Sequence, residues 1–243
     1  MIYVAFGGGV NSTAMLIGMF ERDLVPSWVV FADTGGEKPE TYAHVDEMDA
    51  WLKKQGHAGI VRLKKDSMYA SLEDECLRKN TMPSLVFGWR SCSEKWKYAP
   101  QQKFMNHDEY ALTLWKSGRK ITRAIGFGVD ETRRVKPSGD EKYFNWYPLI
   151  EWGWDRQACI RTIERVGLTV PVKSSCFYCP ATKKVEVALL SIEHPDLFRR
   201  ALQMESNATA AHTVKGLGRH WTWKEIGGGP ETVEQTCMCF DGE

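Results

Sequence analysis

Three short apolar runs alternate with helical patterns in the first 65 residues, and this alternation constrains the fold more than any other feature. The runs span residues 2–6, 28–32 and 60–63, and apolar residues at helical spacing follow each of the first two. The order strand, helix, strand, helix, strand requires right-handed crossovers, which place the strands side by side in a parallel sheet. The sequence therefore predicts an α/β protein built on a parallel sheet.

The later part of the chain is less regular. Residues 130–142 are polar and charged, which predicts a loop. Glycines are frequent from residue 207 onward, so we expect an irregular tail over 207–243 that belongs to the same domain as residues 1–206. The remaining predicted elements are helices that begin at Asn11 or Ser12 and at Pro39, helices over 93–106, 108–116, 155–166 and 180–190, and a strand over 121–127.

The composition excludes several classes of protein. With 43% hydrophobic and 12% aromatic residues the chain is not disordered. The 32 basic residues balance 31 acidic ones, which excludes a uniformly basic nucleic-acid coat but not a local basic groove. No apolar run approaches the roughly 20 residues that span a bilayer, and the first residues lack the basic segment of a signal peptide. We expect a soluble, cytoplasmic protein with no membrane partner.

A glycine-rich loop joins the first strand to the first helix. Gly7, Gly8 and Gly9 allow close approach of backbone N–H groups to an anion, and the N-terminus of the helix adds partial positive charge. The loop is not a Walker loop, because it lacks the lysine that precedes Ser or Thr. It is not a dinucleotide fingerprint either, because Ser12 occupies the place of the last glycine. An anion site and a ligand-free turn both remain compatible with the loop.

Polar residues near the end of the second strand and along the chain add candidate ligand contacts. Asp33 and Thr34 lie where open α/β sheets bind ligands, so the carboxylate is a candidate for a ribose hydroxyl or a metal, with a helix-capping turn as the alternative. Lys95, Arg133 and Arg134 are candidates for neutralising phosphate charge, and a solvated surface is their alternative role.

Seven cysteines are present, an odd number that argues against a disulfide framework. Two close pairs have the spacing that lets two thiolates on one turn reach the same metal. Together they predict a four-cysteine site that ties the tail to the domain, for which a structural zinc is suitable. Cys76 and Cys159 are predicted to be packing residues. The two pairs are Cys176 with Cys179 and Cys237 with Cys239.

Residues 215–223 combine glycines and cations with two tryptophans. Such a segment is suited to stacking on a nucleic-acid strand. The alternative is that the tryptophans pack in the core of the protein.

The glycine loop resembles the pyrophosphate-binding loop (PP-loop) of the ATP pyrophosphatase, or nucleotide α-hydrolase, superfamily. Within that superfamily the chain resembles the phosphoadenosine phosphosulfate (PAPS) reductase-like family, which includes sulfonucleotide reductases and the ATPase subunit of DNA phosphorothioation systems. Four further segments in the family's order carry the resemblance. They are residues 31–35 with Pro39, Glu40 and Thr41; Arg90, Ser91 and Cys92 with Lys95, Lys97 and Pro100; residues 126–134; and residues 176–180.

The resemblance implies a Rossmann-like, HUP/PP-loop type domain with helices on both faces, an irregular metal-binding tail, and ATP (or PAPS) with Mg²⁺ as ligands. It also implies a 4Fe–4S cluster held by Cys92, Cys176, Cys179 and one of the tail cysteines Cys237 and Cys239, so zinc and a cluster are both left open. Implied catalytic residues are Ser12, Asp33, Lys95, Arg133 and Arg134. Implied nucleotide contacts are Gly7, Gly8, Gly9, Asn11, Ser12, Thr13, Asp33, Thr34 and Gly35.

The chain departs from the family pattern at four places. Gly7 replaces the usual serine, Asn11 replaces an aspartate, and Gly128 stands where many members have arginine. The Glu-Cys-Gly-x-His motif, which carries the attacking thiol of true PAPS reductases, does not occur in the sequence. We therefore expect an enzyme that cleaves ATP between its α- and β-phosphates and adenylates a substrate for attack by sulfur or another nucleophile.

Two rival functions and several partners stay open on the sequence. One rival is a reductase of PAPS or adenylyl sulfate, and the other is a non-catalytic nucleotide- and metal-binding subunit of a modification complex. The substrate is a nucleic acid or a free metabolite, and a sulfur-donor protein or a second copy of the chain are further expected partners.

Overall fold

The protein folds around a five-stranded sheet. The computed structural model describes residues 1–135, 140–212 and 214–226. Within these residues the sheet has the order β3-β2-β1-β4-β5, and every neighbouring pair is parallel. The predicted α/β fold with a parallel, Rossmann-like sheet is confirmed. The strands are β1 (Ile2–Ala5), β2 (Trp28–Asp33), β3 (Ile60–Lys64), β4 (Ile121–Ala124) and β5 (Tyr143–Trp146).

The order of the strands reverses between β1 and β4, which both lie in the middle of the sheet. From β1 the chain proceeds outward to β2 and β3, and from β4 it proceeds to β5 on the other side. Such a reversal is the topological switch point of an open α/β sheet, where ligands bind beyond the carboxyl ends of the strands. The fold therefore directs attention to the segments that follow Ala5 and Ala124.

Helices cover both faces of the sheet, because successive side chains of each strand point to opposite sides. Val4 and Phe31 belong to a core shared with four of the helices. Tyr3 and Val30 belong to a second core shared with two others. The helices of the first core are α1 (Val10–Phe20), α2 (Pro39–Lys54), α7 (Pro148–Glu151) and α8 (Arg156–Arg165), and those of the second are α5 (Ala99–Met105) and α6 (Glu109–Lys116).

The described chain divides into two compact units. The sheet unit comprises Met1–Asp33, Glu37–Lys65 and Lys97–Ser174, and includes the short helix α7 (Pro148–Glu151). The helical unit comprises Thr34–Gly36, Asp66–Trp96 and the described residues from Ser175 onward. Its helices are α3 (Leu72–Arg78), α4 (Ser91–Ser93), α9 (Lys184–Glu193) and α10 (Pro195–Ala211). The boundary predicted at residues 206 and 207 stays a prediction.

Several element bounds differ from those predicted. The helix expected over 93–106 is interrupted by a π-helical stretch, Glu94–Tyr98, because Pro100 has no N–H to continue the bonding ladder. The helix expected from Pro180 begins at Lys184, since Cys179 and Thr182 donate their N–H groups to turns instead.

The regions predicted to be irregular contain regular structure. Val129–Arg134 is a 3-10 helix, and α10 continues to Ala211. The edge strand β5 follows the predicted loop and was not predicted. Trp223 is fully buried in the core of the helical unit, which matches the packing alternative for the tail tryptophans. None of the described helices is both long enough and apolar enough to cross a membrane.

The buried carboxylate of Glu205 holds the segment after α10. It is 4% exposed and accepts N–H bonds from Leu217 at 2.7 Å, Trp223 at 2.9 Å and Lys224 at 3.3 Å. Hydrogen bonds to charged groups contribute about 1.5–3 kcal/mol each, and buried N–H groups left without an acceptor are costly.

We expect Glu205→Ala to lower the free energy of unfolding by about 3 kcal/mol or more, measured by denaturant titration. Glu193, an exposed residue at the end of α9, provides the control: Glu193→Ala is expected to change stability by less than about 0.5 kcal/mol. Equal free energies of unfolding in the two variants would contradict the proposed role of the Glu205 carboxylate in holding the segment after α10.

Candidate functional site

The loop after β1 makes a sharp turn, and at two of its glycines a side chain would lie very close to neighbouring atoms. Gly8 has a φ of +70°, and a Cβ there would lie 3.2 Å from Cγ2 of Thr41. A Cβ on Gly9, the residue that precedes α1, would lie 3.1 Å from Oγ of Ser174. The first turn of α1 has backbone N–H groups without partners in the helix, so the loop brings anion-binding donors to the end of β1.

Two predicted contact residues brace the loop through the Gly9 peptide. Ser12 Oγ donates to Gly9 O at 2.9 Å and accepts a longer bond, 3.3 Å, from Gly9 N. Thr13 Oγ1, which is fully buried, donates to the same carbonyl at 3.0 Å. Both hydroxyls therefore hold the backbone conformation from which the N–H groups of the loop project.

His44 of α2 supports the loop from behind, a contact that no spacing in the sequence indicates. Its Nε2 lies 2.8 Å from Thr13 Oγ1, and its Nδ1 lies 3.3 Å from Glu47 Oε2. Burial lowers the pKa of His44, and the carboxylate of Glu47 opposes that shift only in part. The ring thus connects α2 to the first turn of α1.

The lowered pKa predicts a pH dependence of stability. The unfolded chain binds a proton at His44 below about pH 6.5, whereas the folded protein resists it to lower pH. Stability from this group is present above about pH 6.5 and is lost as the pH falls. We expect the melting temperature to decrease less between pH 7.5 and 5.5 in His44→Gln than in the parent. His107→Gln replaces an exposed histidine and provides the matched control variant. A pH profile of His44→Gln identical to the parent's would contradict the assignment.

The segment after β4 packs directly on the first turn of α1. A Cβ on Gly126 would lie 3.1 Å from the backbone N of Ser12 and 3.2 Å from the carbonyl carbon of Asn11. The two strand ends at the switch point therefore meet within the sheet unit, backbone against backbone. Any side chain at Gly126 would displace the glycine loop.

Asn11 connects α1 to the 3-10 helix that follows β4. Its Nδ2 donates to Glu131 Oε2 at 2.8 Å, and its Oδ1 accepts a long bond, 3.4 Å, from Arg156. Glu131 also pairs with Arg134, whose guanidinium lies 4.1 Å from the centre of the Phe127 ring. An amide suits this position because it donates to one neighbour and accepts from another, whereas an aspartate would face the carboxylate of Glu131.

Gly128 and Arg133 complete this segment. A Cβ on Gly128 would lie 2.5 Å from Oδ1 of Asp130 and 3.0 Å from the carbonyl oxygen of Trp154, so this segment packs closely around the glycine. Arg133 lies exposed on the same 3-10 helix as Arg134. The second cation predicted there is thus solvent-facing.

Asp33 ends β2 in the sheet unit. Its Oδ1 accepts a 2.7 Å hydrogen bond from the hydroxyl of Tyr42, and burial together with this bond raises the pKa of Tyr42. Lys97, from the segment of the family resemblance that includes Cys92 and Pro100, pairs at 2.7 Å with the buried Glu37. Asp33 therefore has an oriented carboxylate at the strand end, while Lys97 serves an ion pair.

Thr34 and Gly35 belong to the helical unit, where they lie beside the C-x-x-C segment. Thr34 Oγ1 lies 3.1 Å from Cys176 Sγ, and the next turn is closed by a 3.0 Å bond from Cys179 N to Cys176 O. Gly35 has a φ of +71°, and a Cβ there would overlap Ser71. In their own unit these two predicted nucleotide contacts thus adjoin the cysteine segment.

A pocket of about 220 Å³ in the helical unit is lined by Cys76, Cys92 and Lys95 among others. The backbone N of Cys92 donates to Ser84 Oγ at 2.8 Å, which fixes the thiol-bearing turn. Cys76 is 2% exposed, and burial, with smaller effects of Glu75, Cys92 and Cys176, raises its pKa to about 12. Cys76 is thus a buried core residue, as predicted, but one that lies beside other thiols.

The remaining cysteines divide between the sheet unit and the undescribed end of the chain. Cys159 is buried in α8, where burial raises its pKa to about 11, in agreement with its predicted packing role. Cys237 and Cys239 lie outside the described residues. Within the described ranges, no three His, Cys, Asp or Glu side chains are placed to hold a metal ion. The four-cysteine site with the tail stays a prediction.

Comparison with known proteins decides the family. The family model of the phosphoadenosine phosphosulfate reductase domain matches residues 1–161, about two thirds of the chain. The chain belongs to the phosphoadenosine phosphosulfate (PAPS) reductase-like family. Members of this family are enzymes that bind a nucleotide. The matched range includes the glycine loop, Asp33 and the segment after β4, and it ends before Cys176.

A curated relative extends the similarity along the chain. The PAPS reductase-like protein is 25% identical over 238 residues to a protein of Methanocaldococcus jannaschii whose name is "Uncharacterized protein MJ0066". The alignment covers 92% of this chain and 46% of the relative, so the chain spans about half the length of the relative it matches.

Three contact residues of this family member escaped the sequence analysis. Glu131 lies inside a segment matched to the family, so its place near the loop had a signal, but its bond to Asn11 had none. His44 and Arg156 reach the loop from helices distant in sequence, and their spacing carries no trace of these contacts.

Proposed function

We propose that this PAPS reductase-like protein binds ATP with Mg²⁺ at the glycine loop and cleaves it between the α- and β-phosphates. A substrate oxygen attacks the α-phosphorus, the bond from that phosphorus to the bridging oxygen breaks, and pyrophosphate leaves. Sulfur or another nucleophile then displaces AMP from the activated substrate. The observation that carries the proposal is the braced glycine loop at the β1/β4 switch point, followed by the N-terminus of α1.

The loop supplies donors for the charge that develops on the leaving pyrophosphate. Backbone N–H groups of the loop and of the first helical turn are fixed before the reaction, so they stabilise charge without reorganising. Ser12 and Thr13 contribute by holding the Gly9 peptide. Their hydroxyls therefore act in the proposal as supports of the donor array.

Charged side chains of the sheet unit have separate roles. Asp33 offers an oriented carboxylate for the ribose or for Mg²⁺, which prefers oxygen ligands. Arg134 and Arg133 follow the strand that meets the loop, and they offset negative charge in transfer. Lys95 lies exposed in the helical unit, and its role as a phosphate contact stays a prediction.

The sequence favours adenylation over sulfonucleotide reduction. The 243 residues contain no Glu-Cys-Gly-x-His motif, so the thiol that attacks in the reductase reaction has no counterpart among them. The cysteines Cys92, Cys176 and Cys179 are soft donors suited to zinc or to an iron–sulfur cluster. Such a cluster, when bound, supplies one-electron chemistry for sulfur transfer.

The proposal is tested by offering the anaerobically purified chain the two competing nucleotides. With ATP, Mg²⁺ and added nucleic acid we expect pyrophosphate; with ³⁵S-labelled PAPS and thioredoxin we expect no sulfite. Sulfite release without pyrophosphate would assign the reductase reaction instead. Tight ATP binding, with pyrophosphate formed only after a partner protein is added, would assign a subunit of a modification complex.

A further inference from the structure

Residues 87–90 form an exposed turn with the sequence Phe-Gly-Trp-Arg in the helical unit. Trp89 is 72% exposed and Phe87 is 40% exposed. The ring of Phe87 also meets the ring of the exposed His212 edge-on, with 6.1 Å between the ring centres. We call residues 87–90 the aromatic turn, because it presents an indole and a phenyl ring to solvent next to a guanidinium group.

Backbone hydrogen bonds fix the conformation of the aromatic turn. The N–H of Gly88 donates to the carbonyl of Leu85, and the N–H of Trp89 donates to the carbonyl of Ser84, both at 3.1 Å. Gly88 has a φ of +87°, which reverses the chain after the 3-10 helix that ends at residue 87. Val86, one residue earlier, belongs to the buried core of the unit. The rings are therefore held at the surface before any partner binds, which lowers the entropy lost on binding.

The charge near the aromatic turn is positive. Arg90 and Lys95 are exposed, and among the described residues neither forms an ion pair with a carboxylate. Glu94 is the one acidic residue between positions 87 and 95 of the sequence. An anionic chain that passes over the rings therefore meets a cation beside them.

The pocket of about 220 Å³ in the same unit shares Phe87 with the aromatic turn. Its walls combine apolar side chains, such as Leu72 and Met82, with the hydroxyl of Ser91. Sites for drug-sized ligands begin at roughly 300 Å³, so this smaller pocket suits a group of the size of one nucleobase.

The acidic residue that lines this pocket is offset by its neighbours. The carboxylate of Glu75 pairs with Lys79 at 2.5 Å and accepts a 2.7 Å hydrogen bond from the indole N–H of Trp96. Lys95 adds a cation to the wall of the pocket. The pocket therefore does not repel a ligand that carries a phosphate.

A single nucleic-acid strand fits these observations better than a protein or a duplex. A stable protein interface buries about 800 Å² on each partner around a core depleted of charge, whereas the residues after Trp89 are polar or charged up to Lys95. Proteins that bind single strands combine aromatic side chains, on which bases stack, with cations along the backbone. A duplex keeps its bases stacked on one another, so it offers no free base face to Trp89.

We propose that the aromatic turn binds single-stranded nucleic acid. Bases stack on Trp89 and Phe87, the adjoining phosphate pairs with Arg90, and the pocket beside Phe87 receives one unstacked base. The inference rests on the proposed function and names the class of its substrate, a nucleic acid instead of a free metabolite.

The test measures fluorescence anisotropy of a labelled oligothymidine of about 12 nucleotides as the full chain is added without ATP. Stacking contributes about 1–3 kcal/mol per base, so we expect Trp89→Ala to raise the Kd at least about fivefold. Tyr110→Ala, which removes a 55% exposed aromatic residue of α6, is the matched control and should bind like the parent. Equal affinity of Trp89→Ala and Tyr110→Ala would overturn the proposal, as would equal or tighter binding of a duplex.

The salt dependence tests the cation of the aromatic turn. Each phosphate contact to a single strand adds about 0.7 to the slope of log K against log salt concentration. We expect Arg90→Gln to flatten that slope by about 0.7, while Arg161→Gln, at an exposed arginine of α8, keeps the slope of the parent. The same slope in Arg90→Gln and Arg161→Gln would remove Arg90 from the proposed contact.

A measurement on the parent alone guards against a misfolded Trp89→Ala. An oligonucleotide that contains 5-iodouracil is bound and irradiated, and the crosslinked residues are identified by mass spectrometry. We expect crosslinks at Trp89 or Phe87, and crosslinks confined to other parts of the chain would overturn the proposal. A parent dimer that dissociates on Trp89→Ala, seen by sedimentation, would assign the turn to a second copy of the chain instead.

The failure of this inference is distinguishable from failure of the proposed function. Pyrophosphate release from ATP with a small-molecule acceptor, together with no binding of the oligonucleotide, would overturn the inference and leave the nucleotide chemistry in place. Oligonucleotide binding that depends on Trp89, with no cleavage of ATP under any condition, would do the reverse. We expect Trp89→Ala to keep the parent's affinity for ATP.

Discussion

Gly8→Ala is expected to raise the Kd for ATP at least about tenfold and to lower pyrophosphate release about a hundredfold. The substitution forces an L-residue into a φ of +70°, which costs about 1–2 kcal/mol, and it places a methyl group 3.2 Å from Thr41 Cγ2. The backbone relieves both by shifting the loop. Because the N–H donors must match the pyrophosphate closely, a displacement of about 1 Å suffices for the loss.

Gly118→Ala separates this effect from general strain. Gly118 has nearly the same φ, +72°, and a Cβ there meets nothing within 4 Å. It precedes β4, at the end of the strand opposite to the switch point. We expect Gly118→Ala to lose similar stability while it keeps the parent's ATP affinity. If Gly8→Ala bound ATP as tightly as Gly118→Ala, the loop would not be the nucleotide site.

Asn11→Asp is expected to weaken ATP binding about tenfold, although it restores the residue that the family usually has there. The new carboxylate would replace an amide that donates to Glu131 Oε2 at 2.8 Å, so a hydrogen bond to a charged group becomes a repulsion between like charges. A bond of this kind contributes about 1.5–3 kcal/mol, and 1.4 kcal/mol corresponds to a tenfold change in affinity.

Glu131→Gln provides the rescue. In the double variant a glutamine amide donates to the aspartate, which restores the bond in the opposite direction. The single Glu131→Gln loses mainly the exposed pair with Arg134, and such pairs contribute little. We expect a coupling of at least about 1 kcal/mol between the two sites in a cycle of ATP dissociation constants. Additive effects would refute the role of the Asn11–Glu131 bond.

The parts of the fold that the sequence predicted are those that local pattern determines. The strands β1, β2 and β3 and the glycine loop follow from short apolar runs and from Gly8, whose conformation needs no distant partner. The helix predicted over 180–190 is present, but its predicted start at Pro180 was wrong because the N–H groups of Cys179 and Thr182 close turns first. The helix propensity of these residues does not include the competing hydrogen bonds of the turns.

The parts of the candidate site that escaped prediction depend on tertiary contacts. In the sequence His44 is only a histidine in a predicted helix, and its contact with Thr13 depends on how α2 packs in the fold. The close packing of Gly128 against Asp130 and the carbonyl of Trp154 is likewise visible only in the fold. Cys76 is predicted to be a packing residue, and only the fold shows that it lines one pocket together with Cys92.

The position at which ATP is cut tests the central claim most directly. The purified protein is incubated anaerobically with Mg²⁺, nucleic acid and ATP labelled at either the α- or the γ-phosphorus. We expect the γ label in pyrophosphate and the α label in AMP or in an AMP-bearing acceptor, with both products retained in Gly118→Ala and lost in Gly8→Ala. Orthophosphate and ADP as products, or intact ATP alongside sulfite from PAPS, would contradict it.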